Sequence, residues 1–171
     1  MPRIPIEIVN MQVAYQFAKL SYAVRRRVGC IIVKDKQVIS YGYNGTPHGF
    51  DNTCEEIEET YWEFPEHAEG LEENGWTLSR DNSCRAHRYT TKREVLHAES
   101  NAIMKVAKST MSCEGAELYT TTCPCFDCAK LIIQAGISKV YYTEDYRDMS
   151  GVELLKTAGI NVEQVITWNE L

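Results

Sequence analysis

Apolar residues recur at helical spacing over 9–24, where Val9, Val13, Phe17, Leu20 and Val24 share one stripe while Tyr15 and Lys19 lie elsewhere. The chain therefore opens on an amphipathic helix. Two β-branched runs follow, 28–34 and 37–43, parted by the charged corner Lys34-Asp35-Lys36, and they predict an antiparallel hairpin. From about 49 to 94 the period is lost and acidic clusters take over, Glu55-Glu56-Ile57-Glu58-Glu59 and Glu72-Glu73 among them, which marks an insertion leaving the core. A structureless loop of that length is uncommon in a compact domain, so something should tie it down.

Periodicity returns over 97–108, with Ala98, Ala102, Ile103, Val106 and Ala107 on the apolar face. Beyond it the pattern predicts a strand over 116–122, a helix over 125–135 closed by Gly136, a strand over 139–143, a helix over 150–158 closed by Gly159, and a last strand near 160–166. The order αββ then αβαβαβ predicts an α/β fold of three layers, a mixed central sheet of about five strands covered by helices on both faces.

A chain of 171 residues suits one domain, here 1–171 with an insertion at about 49–94. The net charge of −6, from 18 basic and 24 acidic residues, opposes a broad polynucleotide surface and favours a small-molecule substrate. The start, Met1-Pro2-Arg3-Ile4-Pro5, lacks the apolar core of a signal peptide, and no apolar run approaches a membrane span. A cytoplasmic protein without a membrane partner is expected. Seven cysteines, an odd count, read as metal ligands and reduced thiols rather than as a disulfide framework. Cys30, within Val28-Gly29-Cys30-Ile31-Ile32-Val33, reads as a small buried hydrophobe, and so do Cys113 and Cys123.

Two short stretches carry the chemistry. His97-Ala98-Glu99 opens one predicted helix, and Pro124-Cys125-Phe126-Asp127-Cys128 opens another, with both thiols in its first turn. Proline suits such a start because no intrahelical bond needs its missing N–H. The positive end of the helix dipole favours thiolates there. His97, Cys125 and Cys128 thus supply three zinc ligands and leave a fourth tetrahedral position open, the mark of a catalytic rather than a structural site. Glu99, beside the histidine and not a ligand, is placed to take a proton from water and pass it on. His-x-Glu followed by Pro-Cys-x-x-Cys is the signature of zinc nucleobase deaminases, whereas Cys-x-x-Cys alone also fits a structural knuckle or a redox pair.

Other residues have two readings. Asn44-Gly45 is a favoured hairpin turn, yet Asn44, at the end of a strand leading into Tyr43-Asn44-Gly45-Thr46-Pro47, could offer its amide to a sugar hydroxyl. Arg25-Arg26-Arg27 is either a solvated corner or a set of phosphate partners. Cys54, Cys84 and His87 could pin the insertion with a second, structural zinc, with His67 or Glu94 as the fourth ligand; the alternative is two buried thiols and a surface histidine.

With these residues placed, the chain resembles the deoxycytidylate (dCMP) deaminases of the cytidine deaminase superfamily from its first helix to about Ile160. The resemblance rests on Val28-Gly29-Cys30-Ile31-Ile32-Val33, Gly42-Tyr43-Asn44-Gly45-Thr46-Pro47, His97-Ala98-Glu99-Ser100-Asn101-Ala102-Ile103, and Pro124-Cys125-Phe126-Asp127-Cys128-Ala129-Lys130 with Ala135-Gly136-Ile137 beyond. It implies a cytidine-deaminase-like fold and hydrolysis of dCMP to dUMP and ammonia for pyrimidine deoxynucleotide synthesis. It also implies catalytic zinc on His97, Cys125 and Cys128, Glu99 as proton shuttle, and Asn44 against the nucleotide. A homohexamer activated by dCTP and inhibited by dTTP with Mg2+ is implied as well. Related members carry a structural-zinc cysteine where this chain has Ala23, and Cys84 is the residue that could replace it. A free cytidine or riboflavin-pathway pyrimidine as substrate, or a non-catalytic zinc- or nucleotide-binding role, are the competing functions.

Overall fold

The computed structural model describes residues 3–62, 70–79 and 84–165. Helix α1 (Ile6–Ala18) leads into the hairpin of β1 (Gly29–Lys34) and β2 (Gln37–Tyr43). The hairpin turns on Asp35 and Lys36, both at positive φ (50° and 64°), as a two-residue loop matched to strand twist requires. The insertion folds as β3 (Glu55–Tyr61), β4 (Thr77–Leu78) and β5 (Arg85–Thr91). The remainder is α2 (Ala98–Ala107), β6 (Glu117–Thr122), α3 (Phe126–Gln134), β7 (Lys139–Glu144), α4 (Ser150–Thr157) and β8 (Asn161–Gln164).

The main sheet has the order β2-β1-β6-β7-β8, with β1 antiparallel to both neighbours and β6, β7 and β8 parallel, so it is the mixed five-stranded sheet that the pattern predicted. Successive strand residues face opposite layers. Ile31, Val33, Tyr119 and Tyr141 pack with Met11 and Ala14 of α1, whereas Cys30, Ile32, Leu118 and Val140 pack with Ala98, Ala102, Ala129, Ile132 and Leu155 of the other helices. Gly136 and Gly159 close α3 and α4 at φ 75° and 82°, the left-handed turn expected after a helix.

The first helix departs from the predicted stripe. It ends at Ala18 and buries Asn10, Met11, Ala14 and Ala18, while Val9 (38%), Leu20 (52%) and Val24 (67%) stay exposed. The reason lies across the sheet contact: a Cβ on Gly29 would stand 2.0 Å from the Ala14 carbonyl oxygen and 2.5 Å from the Ala18 nitrogen. The helix is thus seated on β1 by its smallest residues, and Val13 and Phe17 of the predicted stripe pack half-buried at the margin of the same core. Beyond Ala18 the chain tightens into a turn, with Leu20 N–H donating to the Phe17 carbonyl and Ser21 N–H to that of Ala18.

The insertion, which lacks an amphipathic period, is nonetheless a second antiparallel sheet of order β3-β5-β4. Its strands are charged on both faces, and cross-strand pairs do the work that alternation does elsewhere. Glu58 opposes Arg88 in the register and accepts from its guanidinium at 2.6 Å, and Arg88 lies 4.6 Å from the Trp76 ring centroid.

Candidate active site

Because β6 is parallel to β7 and antiparallel to β1, the ends of β2, β6 and β7 and the start of β1 meet at one edge of the sheet. Helix α2 runs down into β6, so its first turn lies at that same edge, and α3 starts there directly after β6. Ligand sites of open α/β sheets form at this carboxyl edge. Two glycines set the depth of the site. A Cβ on Gly42 would stand 2.0 Å from the Ala98 carbonyl oxygen, and one on Gly151 would stand 2.2 Å from that of Pro124. Gly42 therefore lets β2 meet the start of α2, and Gly151 lets α4 meet the backbone before α3.

His97 and Cys125 occupy the N-cap positions of α2 and α3, both with extended backbone. The two helix starts converge. His97 Nδ1 lies 3.4 Å from Cys125 Sγ and 3.5 Å from Cys128 Sγ, and the three donor atoms all lie within 4.8 Å of one another. Tetrahedral zinc with its usual bonds of about 2.0–2.1 Å to nitrogen and 2.3 Å to sulfur needs donors roughly 3.5–3.8 Å apart, so the donor set fits this ion in both chemistry and spacing. Hydrogen bonding to the Cys128 thiol, aided by the imidazole, holds Cys125 down at about 4, while the same bond and burial push Cys128 far up. The hydrogen bond with Cys125 also raises His97.

Glu99 is 3% exposed in the first turn of α2, beside this cluster. Burial pushes its carboxyl up to about 7, against the opposing pull of its own backbone N–H and His97. A carboxyl poised there changes protonation state readily at neutral pH, which suits a group that must take and return a proton.

His97, Glu99 and Cys125 line a cavity of about 390 Å3 whose lining also includes three arginines. Arg25 and Arg26 reach it from the segment before β1, and Tyr146 and Arg147 from the segment after β7. The guanidiniums of Arg26 and Arg147 stand 5.8 Å and 5.7 Å from the centroid of the Tyr146 ring, so two cations converge on one aromatic. Asn44 lines the cavity too, with its amide engaged by the arginine segment: Oδ1 accepts Val28 N–H at 2.8 Å and Nδ2 donates to the Arg26 carbonyl at 2.9 Å.

The sequence reading missed Glu55, Tyr146 and Arg147. For the last two a signal existed, since Asp145-Tyr146-Arg147 lies one residue beyond the strand predicted over 139–143, whose end must lie at the ligand edge. For Glu55 there was none, as it begins a run of similar acidic residues. Cys123 is buried as expected, with Sγ accepting Tyr146 N–H at 3.1 Å, and it takes no part in the metal cluster.

The second zinc does not assemble from the residues named for it. Glu55 pairs with Thr91 and Tyr61 with Arg85, so Cys54 and Cys84 stand at opposite ends of the β3–β5 pairing, on the order of 20 Å apart at the usual strand rise. His87 sits midway, opposite Glu59, and His67 lies outside the described residues. Among the described residues, His97, Cys125 and Cys128 are the group able to hold a metal. The insertion is instead tied to the core by hydrogen bonds: Glu55 accepts from Val24 and Arg25, and Leu96 exchanges both backbone bonds with Gly45 (3.1 and 2.9 Å).

A mixed sheet with histidine and paired cysteines on two converging helix starts, and a buried glutamate beside them, defines a zinc-dependent hydrolytic deaminase. Residues 7–144 match the family model of the cytidine and deoxycytidylate deaminase zinc-binding region. The chain belongs to the cytidine and deoxycytidylate deaminase family. It is 36% identical over 169 residues to the deoxycytidylate deaminase of Enterobacteria phage T4, covering 91% of this chain and 87% of the relative. Identity to the Saccharomyces cerevisiae deoxycytidylate deaminase is also 36%, over 155 residues that cover 90% of this chain but only 43% of the longer yeast protein. The crystal structure of the dCMP deaminase from cyanophage S-TIM5 in complex with dCMP and dUMP superposes with a TM-score of 0.72 at 36% identity, covering 96% of this chain and all (100%) of that one. No helix among the described residues is long and apolar enough to cross a membrane.

Proposed function

We propose that this protein hydrolyses dCMP to dUMP and ammonia. The observation that carries the reading is one cavity whose lining brings together His97 and Cys125 of the metal-ligand cluster, the buried Glu99, and two arginines that converge on Tyr146. The likeness to phage enzymes named for this reaction, one of them crystallised with dCMP and dUMP, supports it.

His97, Cys125 and Cys128 would hold a zinc ion, which when bound would supply the Lewis acidity that makes water a nucleophile at neutral pH. Glu99 does the proton work. Its carboxylate accepts a proton from the attacking water and gives it to the ring nitrogen beside the amine-bearing carbon. It then takes the remaining proton of the new hydroxyl and delivers it to the amine, the carbon–nitrogen bond breaks, and ammonia leaves as the carbonyl forms. Arg26 and Arg147 hold the 5′-phosphate, for which paired guanidiniums are suited by geometry and charge. Asn44 retains one amide N–H for the nucleotide while it fixes the segment that bears Arg26.

The family resemblance extends the reading to activation by dCTP, inhibition by dTTP with Mg2+, and a homohexamer in the cytoplasm. An absorbance assay over deoxycytidine, CMP, dCMP and dCTP tests the substrate, and repeating it with added dCTP or dTTP tests regulation. dCMP should be turned over with the highest kcat/KM. Preference for the unphosphorylated nucleoside would overturn the proposal.

A further inference from the structure

The insertion sends one carboxylate into the cavity wall. Glu55, the first residue of β3, is 6% exposed and lines the cavity together with Arg25 and Arg26. Its two oxygens accept the Val24 N–H, each at 3.1 Å, and Oε1 also accepts the Arg25 N–H at 3.2 Å. Burying a carboxylate is costly unless such bonds compensate it. Asn44 holds the other end of the same segment through Val28 and the Arg26 carbonyl. Residues 24–28 are thus stapled twice, by a strand of the insertion and by the end of β2. With the backbone N–H groups of Val24 and Arg25 already taken, these two residues meet an anion through the Arg25 side chain alone.

We infer that Glu55 is a positioning residue: it locks the arginine segment in the conformation that directs Arg26 at the substrate phosphate, and so couples the insertion to phosphate recognition. This rests on the dCMP reading above. The expected sign is opposite to that of simple electrostatics. Removing a negative charge from a cavity that binds an anion should by itself tighten binding, whereas loss of the staple should weaken it.

The test is calorimetric titration of the full-length protein with dUMP and with deoxyuridine, which bind without turnover. In Glu55→Ala, dUMP affinity should fall about tenfold or more, with deoxyuridine affinity changed by less than about threefold. Glu55→Gln keeps one carbonyl acceptor and should recover most of the loss. Steady-state assay of Glu55→Ala with dCMP should place the defect on KM rather than on kcat. Tighter or unchanged dUMP binding in Glu55→Ala, or equal losses for the two ligands, would overturn the inference. Should Glu55→Ala not fold, Glu55→Asp carries the test: its carboxylate keeps the charge but withdraws by one methylene, so weaker dUMP binding is expected and unaltered binding overturns the role. A wild-type protein that does not distinguish dUMP from deoxyuridine sinks the phosphate reading itself, and Glu55 with it; a wild-type preference that survives in every variant sinks the role of Glu55 alone.

Discussion

The two ends of the cavity are built in different ways. The metal end comes from two short stretches, each delivered by the first turn of a helix, so that within each stretch spacing along the chain sets spacing in space, and the fold has only to bring two helix starts together. The basic end is gathered from residues 25–26, 44 and 146–147, which meet because the strand order brings their ends to one edge, and Glu55 reaches it from the separate sheet of the insertion. A site made of local turns is specified by a few residues. A site made of strand ends depends on every contact that fixes the register.

The largest effects should come from breaking the metal end. Cys128→Ala should lose both zinc, from about one per chain to almost none, and activity. Glu99→Ala should keep the metal and the fold and lower kcat by about 10²- to 10⁴-fold, read by metal analysis alongside the deamination assay. Near wild-type turnover would remove Glu99 from the proton path.

At the basic end, Arg26→Ala and Arg147→Ala should each lower kcat/KM for dCMP by about 10- to 100-fold, mainly through KM, and alter deoxycytidine turnover far less. Equal losses on both substrates would mean that the arginines support structure rather than phosphate. Gly42→Ala, between the two ends, forces a methyl group against the Ala98 carbonyl and should cost about 1–3 kcal/mol in denaturant unfolding. The smallest change is expected for Cys54→Ser and Cys84→Ser, which should leave the zinc content as it is, because the register of β3 and β5 keeps these thiols apart. A loss of one zinc per chain in either variant would restore the second metal site.

Most of the main sheet and three of the helices were legible because each pairs a clear period with a stop signal, as where Gly136 and Gly159 end α3 and α4. The face of α1 was not. Its most apolar stripe is the expected core face, but contact at Gly29 centred the helix on Ala14 and Ala18, which leaves Val13 and Phe17 at the core margin and Val9, Leu20 and Val24 exposed. The insertion was legible as an interruption and not as a sheet, since its stability comes from cross-strand pairs such as Glu58 with Arg88, whose partners lie thirty residues apart. The same cause explains the error over Cys54, Cys84 and His87. Their spacing permits a metal site, and only the antiparallel register shows that they lie along different rungs of the pairing.

The amino acids alone determined the two halves of the chemistry: His97 with Glu99, and Cys125 with Cys128, each fall within one helical turn, and the fold then brings these two stretches, 28 residues apart, together. Tertiary structure decided what joins them in the cavity lining. Strand order brought Tyr146 and Arg147 beside Arg26, and the insertion delivered Glu55 to the backbone of Val24 and Arg25. Such groupings depend on long-range pairing, which no local pattern encodes, and they shape the basic part of the cavity lining.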